Sequence, residues 1–293
     1  MTPTTVGTIM CTYGVDQSTG VTMRHICLLL AVTVVLSAAA SAEDAQPAPE
    51  KVVVNTSVGP DEVRNYKIEA VVKGKAIVPD SKEPVDLDAA FFLKVRHKYS
   101  RREGDGLLPL DINLVEGRVT VQGQKIEITP SLYPKLTVLI DRDWRVTDIF
   151  GMSSARIAQT LPGINYGNHI ILFYLPEGRQ PHAVGETWQS SVKIPDFGET
   201  YSFANTLKGV ELVDGVRAAV VRQEIVRPAK ADAQSESTSM KATAESAFAL
   251  DNGRLLKSHI ECQVTFGPGK SESKGRQDQD SSRANIRIDI SPA

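Results

Sequence analysis

Hydrophobic and polar residues alternate along much of this 293-residue chain. Between Ala89 and Tyr99 every second position is apolar or aromatic except His97, and the intervening positions include Lys94 and Arg96. A period of two places successive side chains on opposite faces of an extended strand, so this segment predicts a half-buried strand. The same alternation recurs in residues 66–72, 119–121, 126–128, 201–207, 240–250, 256–266 and 286–290.

Turn-forming residues separate these segments, as at Gln122-Gly123, Asp214-Gly215 and Asn252-Gly253. They indicate about ten strands in up-and-down order. Strands with one apolar face and one solvent-exposed polar face favour an antiparallel sheet over a parallel α/β sheet. The sequence therefore predicts an all-β protein with one or two short helices, built either as an antiparallel open barrel or as two fused curved sheets.

Two neighbouring segments interrupt the β pattern. Residues 152–161 carry serines near their start and Ile157 and Leu161 four positions apart, and Pro162-Gly163 follows, which is typical of a short helix. Residues 169–175 are the most continuously apolar stretch after residue 42. They fit either a buried central element or the lining of a pocket for an apolar ligand.

A weak internal similarity bears on the number of domains. Residues 66–74 and 201–209 share the pattern Y-x-[IF]-x-x-x-[VL]-K-G. Two unrelated amphipathic strands can share such a pattern, so residues 51–293 form either one β-rich domain or two similar halves. The halves would be residues 51–151 and 181–293, joined by residues 152–180.

The N-terminal region has the organisation of an export signal. Residues 23–42 contain one Arg, an apolar core and an A-x-A site before Glu43. We expect cleavage there and an exported protein, periplasmic or secreted, without a transmembrane span; an uncleaved anchor is the alternative. Residues 1–22 would be a dispensable or untranslated extension, and the Pro-, Ala- and acid-rich residues 43–50 a disordered tether.

Composition and missing motifs restrict the chemistry. A formal net charge of −2 gives no electrostatic reason to expect nucleic acid binding. After signal cleavage Cys262 is the single cysteine, and its place on an apolar strand face predicts a structural thiol. No common catalytic motif or metal-ligand spacing is present, so we expect a non-enzymatic protein without a cofactor or metal ion.

His97 is the one residue whose surroundings would indicate whether the protein is an enzyme. It falls on the apolar face of its strand, where we expect it to be enclosed and bonded to a hydroxyl or backbone group. An open His97 beside Asp111 or Asp148 would instead provide the geometry of acid–base catalysis.

The leading functional hypothesis is a cavity between the curved sheet and residues 152–175 that holds a lipid, an acyl chain or another apolar ligand. Its expected lining comprises Phe91, Leu93, Val95, Ile157, Ile170, Leu172 and Phe173. The alternative is a structural or interaction role in the cell envelope, in which a strand edge or the basic face from Lys94 to Arg102 meets a protein partner.

Residues 181–188, PHAVGETW, carry a motif P-x-x-V-G-[DE]-x-W that opens a run of antiparallel strands. In this motif, and more loosely through residues 201–255, the chain resembles poorly characterised bacterial secreted proteins. The resemblance implies a relative of the periplasmic lipoprotein-carrier fold, an open β-barrel with short helices at its mouth. It also implies a shelf for acyl chains or a lipoprotein segment, and supplies no catalytic residue.

Overall fold

Fourteen β-strands make up nearly all the regular structure of the described residues. The computed structural model describes residues 51–54, 57–76, 85–102, 104, 106–129, 133, 135–151, 171–175, 179–194, 199–228, 237–267 and 282–293. The strands are β1 (Lys51–Val52), β2 (Val63–Ala76), β3 (Val85–Tyr99), β4 (Leu108–Val121), β5 (Gln124–Glu127), β6 (Leu136–Ile140), β7 (Val146–Phe150), β8 (His182–Ala183), β9 (Thr187–Ile194), β10 (Glu199–Val213), β11 (Val216–Arg227), β12 (Ser237–Ala249), β13 (Leu255–Gly267) and β14 (Ser282–Pro292).

Eleven strands form one continuous antiparallel sheet in the order β7-β6-β4-β3-β2-β14-β13-β12-β11-β10-β9. The short strand β5 pairs only with β4, and β1 pairs with β8 in a separate ribbon. The two end strands, β7 and β9, contact each other, so the sheet is a nearly closed barrel. The predicted all-β antiparallel class is confirmed, in its barrel form.

The number of strands determines how the barrel closes. Each strand runs antiparallel to its neighbour, and ten such steps separate β7 from β9, so these two strands point the same way. The chain must therefore return to the other end of the barrel between Gly151 and Glu186. Within that interval the structure describes residues 171–175 and 179–186, and the first five are all buried in the same core as the sheet.

The burial of the side chains confirms which residues of the strands were predicted to face inward. On β3 the buried residues alternate with more exposed ones from Ala89 to Tyr99, and His97 belongs to the buried set. The inward residues of the wall formed by β11 to β14 include many small side chains: Ala219, Ala242, Ala244, Ser246, Ser258 and Ala284.

The turn signals at two hairpins are also confirmed. Gln122 and Gly123 have φ of 49° and 82°, and Asp214 and Gly215 have φ of 50° and 79°. Two successive residues with positive φ match the twist of antiparallel strands, which is why Gly and Asp suit these positions.

Several sequence predictions fall outside the described residues. These are the export signal at residues 23–42, the tether at 43–50 and the helix at 152–161. Residues 171–173, in the apolar stretch after that helix, form one buried 3-10 turn. Among the described residues, no helix has the length and apolar composition needed to cross a bilayer.

Candidate functional site

A buried aromatic and polar cluster surrounds the buried segment of residues 171–175. His97 is 1% exposed, and its Nδ1 lies 3.5 Å from the hydroxyl of Tyr174. The imidazole packs against Tyr66 and Phe173, with ring centroids 5.0 Å and 4.7 Å away. Burial, with a smaller contribution from the charge of Arg64, lowers the pKa of His97 to about 3, so the ring is neutral at physiological pH.

His97 does not face either carboxylate that would have indicated catalysis. Asp111 accepts a hydrogen bond from Thr137 at 2.8 Å and pairs with Lys135 at 2.8 Å. Asp148 accepts a hydrogen bond from the backbone of Ile149. The prediction that His97 is enclosed and bonded to a hydroxyl is confirmed.

Arg64 is a buried cation at the edge of this cluster. Its Nε donates to Glu62 at 2.7 Å, and its Nη2 donates to the backbone carbonyl of Asn252 at 3.2 Å. The guanidinium also lies 5.1 Å from the centroid of the Tyr99 ring. The charge of Arg64 is therefore compensated within the protein, as a buried ion requires.

A second buried polar group crosses three neighbouring strands of the inner wall. Ser190, Asn205 and Gln223 come from β9, β10 and β11, and are 8%, 0% and 1% exposed. Asn205 Nδ2 donates to Ser190 Oγ at 3.0 Å, and Gln223 Nε2 donates to Asn205 Oδ1 at 2.9 Å. We call these three residues the polar ladder.

One member of the polar ladder has a recognisable signal in the sequence. Asn205 falls on the inward phase of the alternation in residues 201–207, where a polar residue stands out among apolar ones. Its partners could not be recognised in the same way, since Ser190 and Gln223 lie on other strands and their register with Asn205 is a property of the fold.

The structure places five of the predicted lining residues in the core. Phe91, Leu93 and Val95 are on the inner face of β3, and Leu172 and Phe173 are in the buried turn. Phe173 joins the turn to the sheet through Tyr66, whose ring centroid is 4.9 Å away. Ile157 and Ile170 lie outside the described residues. Whether the set contacts a ligand stays a prediction.

Two of the five basic residues between Lys94 and Arg102 pair with acidic neighbours. Lys94 pairs with Glu116 at 2.7 Å, and Lys98 pairs with Asp61 at 3.1 Å. All four side chains are partly or well exposed, so these pairs contribute little to stability. At Lys94 and Lys98 the ion pairs favour a solvated surface over an anion-binding one.

The outer surface of the sheet also contains three adjoining depressions, of about 930, 860 and 340 Å³. Their walls combine both signs of charge, as with Arg287 and Asp289, and the described residues give no single ligand chemistry that would match them.

The motif at residues 181–188 makes a tight turn into β9. Gly185 has a φ of 85°, and the Glu186 amide donates to the Ala183 carbonyl at 2.9 Å. The Glu186 carboxylate accepts from the Ala183 amide at 2.8 Å and lies 3.1 Å from His182 Nδ1, and these bonds lower its pKa. His182 stacks on Trp188 with ring centroids 3.8 Å apart. The motif residues therefore serve a structural role: they form the hydrogen-bonded turn and the stacked ring pair that lead into β9.

Comparison with known proteins gives only distant similarities. No protein-family model and no curated protein matches the chain. The chain is 9% identical to lipovitellin, in a structure of its lipid–protein interactions, with a TM-score of 0.44; the match covers 81% of this chain and 25% of that one. This chain therefore spans about a quarter of the lipovitellin chain.

Two bacterial structures are similar over most of their length. DynF from the dynemicin biosynthesis pathway of Micromonospora chersina is 10% identical with a TM-score of 0.25, over 84% of this chain and 86% of that one. A DUF1329 family protein from Desulfovibrio piger is 10% identical with a TM-score of 0.15, over 79% and 84%. Similarities at this level assign no function.

Proposed function

We propose that this protein binds a lipid, an acyl chain or another apolar molecule inside its barrel and catalyses no reaction. The observation that supports the proposal is the number of strands. Eight strands already give a barrel whose own side chains fill the interior, and wider barrels enclose ligand cavities or channels. This barrel has eleven.

The distribution of inward side chains supports the same proposal. Residues 171–175 pack against β2 and β3 through Phe173, and alanines and serines lie among the larger apolar side chains on the inner face of β11 to β14. Small side chains on a wide barrel leave interior volume for an apolar guest. Apolar walls with a few polar groups are typical of small-molecule sites.

A paired substitution on β12 tests this proposal. Ala244 is buried and faces inward between Gln223 and Ile260, while its neighbour Thr243 is exposed. We expect Ala244→Phe to weaken binding of the apolar fluorophore N-phenyl-1-naphthylamine at least about fivefold by occupying guest volume. Thr243→Phe adds the same ring outside and should leave binding unchanged.

Thermal unfolding of both variants, measured alongside the titration, shows whether each one is folded. If Ala244→Phe does not fold, Ala242→Leu adds a smaller side chain to the same inner face. Extraction and mass spectrometry of protein purified from its host should reveal a co-purifying apolar molecule. Protein that repeatedly carries none, and that fails to bind the fluorophore, would show that the interior is simply a packed core.

We also propose that the protein is exported to the periplasm or secreted, because residues 23–42 have the charged, apolar and small-residue regions of a cleaved signal. N-terminal sequencing of the native protein tests this. A mature chain beginning at Glu43 is expected, and a chain retaining residues 1–42 in the cytoplasm would refute it.

A further inference from the structure

Two loops at one end of the barrel lie side by side because of the register between β4 and β6. These strands pair so that Leu108 is opposite Ile140. Continuing the antiparallel register past the strand ends brings Gly106, in the loop between β3 and β4, opposite Arg142, in the turn between β6 and β7. The sheet therefore brings together two loops that are distant in sequence.

Two arginine side chains contact Gly106. Arg102 Nη1 donates a hydrogen bond to the Gly106 carbonyl. A Cβ built on Gly106 would lie 2.7 Å from Arg142 Nε, so the guanidinium of Arg142 occupies the place of the missing side chain. Because both guanidiniums contact this one residue, the absence of a side chain at position 106 allows them to lie close together.

A third guanidinium, that of Arg179, acts on the same group. Partial burial, followed by the charges of Arg179 and Arg142, lowers the pKa of Arg102, and the charge of Asp141 has the opposite effect. Like charges influence one another in this way only at short range. We call Arg102, Arg142 and Arg179 the arginine cluster.

The carboxylate beside the arginine cluster is used by the backbone. Asp141 Oδ1 accepts hydrogen bonds from the amides of Asp143 and Arg145, at 2.8 Å and 2.9 Å, and these bonds stabilise the turn between β6 and β7. In the part of the chain that the structure describes, neither Arg102 nor Arg142 forms an ion pair with a carboxylate. Their mutual repulsion is therefore only partly compensated.

We propose that the arginine cluster binds a phosphate group. A guanidinium presents N–H groups in a planar fork that matches the oxygens of a phosphate, and a doubly charged anion among three cations relieves the repulsion between them. Arg102 is half-buried, whereas Arg142 and Arg179 are exposed, so the anion reaches the site from solvent. This surface site goes beyond the apolar binding proposed for the interior.

The phosphate can be free or part of a lipid head group, and the position of the arginine cluster bears on both sources. Trp144 follows Arg142 by two residues, and its buried ring lies 5.5 Å from the ring of Tyr174. The arginine cluster thus lies at the aromatic end of the core, where a head group could bind while its chains contact apolar side chains.

Calorimetric titration of the whole chain tests the proposal, with Glu103 and Asp105, which lie outside the described residues, contributing their charges. The probes are inorganic phosphate and the soluble lipid dihexanoyl phosphatidate, in a buffer of low ionic strength at pH 8. We expect both to bind, with an affinity that falls as sodium chloride is added. Equal affinities would indicate a site for free phosphate, and tighter binding of the phosphatidate a site for a head group.

Substitution then locates the binding. Arg142→Gln removes one guanidinium of the cluster and should weaken binding of inorganic phosphate at least about fivefold. Arg222→Gln removes the same charge from β11, where the guanidinium lies 3.6 Å from Glu224, and should change the affinity by less than about twofold. Thermal unfolding without phosphate shows whether each variant is folded, and Arg179→Gln replaces Arg142→Gln if that variant is not.

Two results would overturn the proposal. One is the absence of binding of both phosphate probes to the unaltered protein. The other is an equal loss of affinity in Arg142→Gln and Arg222→Gln, because the attraction would then belong to the surface as a whole. Binding of N-phenyl-1-naphthylamine to the unaltered protein is measured separately, and its failure would overturn the proposed function while leaving the phosphate site intact.

Discussion

His97 illustrates, at the scale of a single residue, how a titratable side chain becomes part of a hydrophobic core. Its position on the inward phase of β3 made burial predictable from sequence, and its contacts with Tyr66, Phe173 and Tyr174 explain why the neutral ring is retained. Because these contacts hold the ring neutral, they also predict that the free energy of unfolding falls as the pH is lowered.

We expect the free energy of unfolding to fall with acidification more steeply in the unaltered protein than in His97→Gln. The unfolded imidazole takes up a proton below its ordinary pKa of 6.5, whereas the folded one resists protonation until about 3. The contribution of neutral His97 to the free energy of unfolding is thus fully present above about pH 6.5. It is lost progressively below that pH, at up to about 1.4 kcal/mol per pH unit.

Urea unfolding at about pH 7, 6, 5 and 4 measures this difference. Loss of the ring contacts should make His97→Gln about 1–3 kcal/mol less stable at neutral pH, and the gap should narrow as the pH falls. Binding of the apolar fluorophore should be nearly unchanged. Parallel pH profiles would contradict the burial of His97, and lost binding at an unchanged melting temperature would show that His97 contacts the ligand.

Cys262 provides a second prediction at the scale of one residue. The side chain is half-buried and packs against the core, and burial raises the pKa of its thiol to about 12. Because the thiolate is the reactive form, iodoacetamide at pH 8 should label native Cys262 at least about tenfold more slowly than Cys262 of the protein in denaturant. Mass spectrometry of the peptide that contains Cys262 measures both rates. Equal rates would show that the thiol is accessible and ionised.

At the scale of strands and turns, sequence was informative wherever the cause was local. Alternation identified the inner face of β3, and Gly after Gln or Asp marked two hairpin turns, because pleating and positive φ are properties of neighbouring residues. The polar ladder depends on register between three strands, and the pairing of β14 with β2 joins strands from near the two ends of the described chain. Such long-range pairing leaves no local pattern in a single sequence.

The turn before β9 allows a clean test of backbone conformation. Gly185 has a φ of 85°, and a Cβ added there would meet no atom within 4 Å, so Gly185→Ala introduces backbone strain without a clash. We expect it to destabilise the protein by about 1–2 kcal/mol.

Gly209 is the matched control, because an added Cβ is equally unobstructed and its φ is not positive. Gly209→Ala should be neutral or stabilising, by up to about 1 kcal/mol. Urea unfolding of the two variants gives both values. Equal effects would mean that the turn at Gly185 relaxes without cost.

At the scale of the whole molecule, the same sheet contains strands from both halves that the sequence suggested. Residues 63–150 contribute β2 to β7, residues 187–292 contribute β9 to β14, and β14 pairs with β2 over nine positions, from Ala284–Gly74 to Pro292–Tyr66. The inner faces of both groups belong to one hydrophobic core. An isolated half would therefore expose an apolar face that the other half covers.

We accordingly expect residues 51–151 and residues 181–293, made separately, not to fold, and residues 51–293 to unfold in one cooperative transition. Each half loses the β14–β2 pairing and the opposite wall of the barrel, and a single sheet with one uncovered apolar face has too little buried area to offset its conformational entropy. Near-ultraviolet circular dichroism and urea titration of the three chains measure this, with fluorophore binding as a functional readout. A half that shows fixed aromatic signals and its own sharp transition would establish two domains, and would place the ligand in one curved sheet instead of the closed barrel.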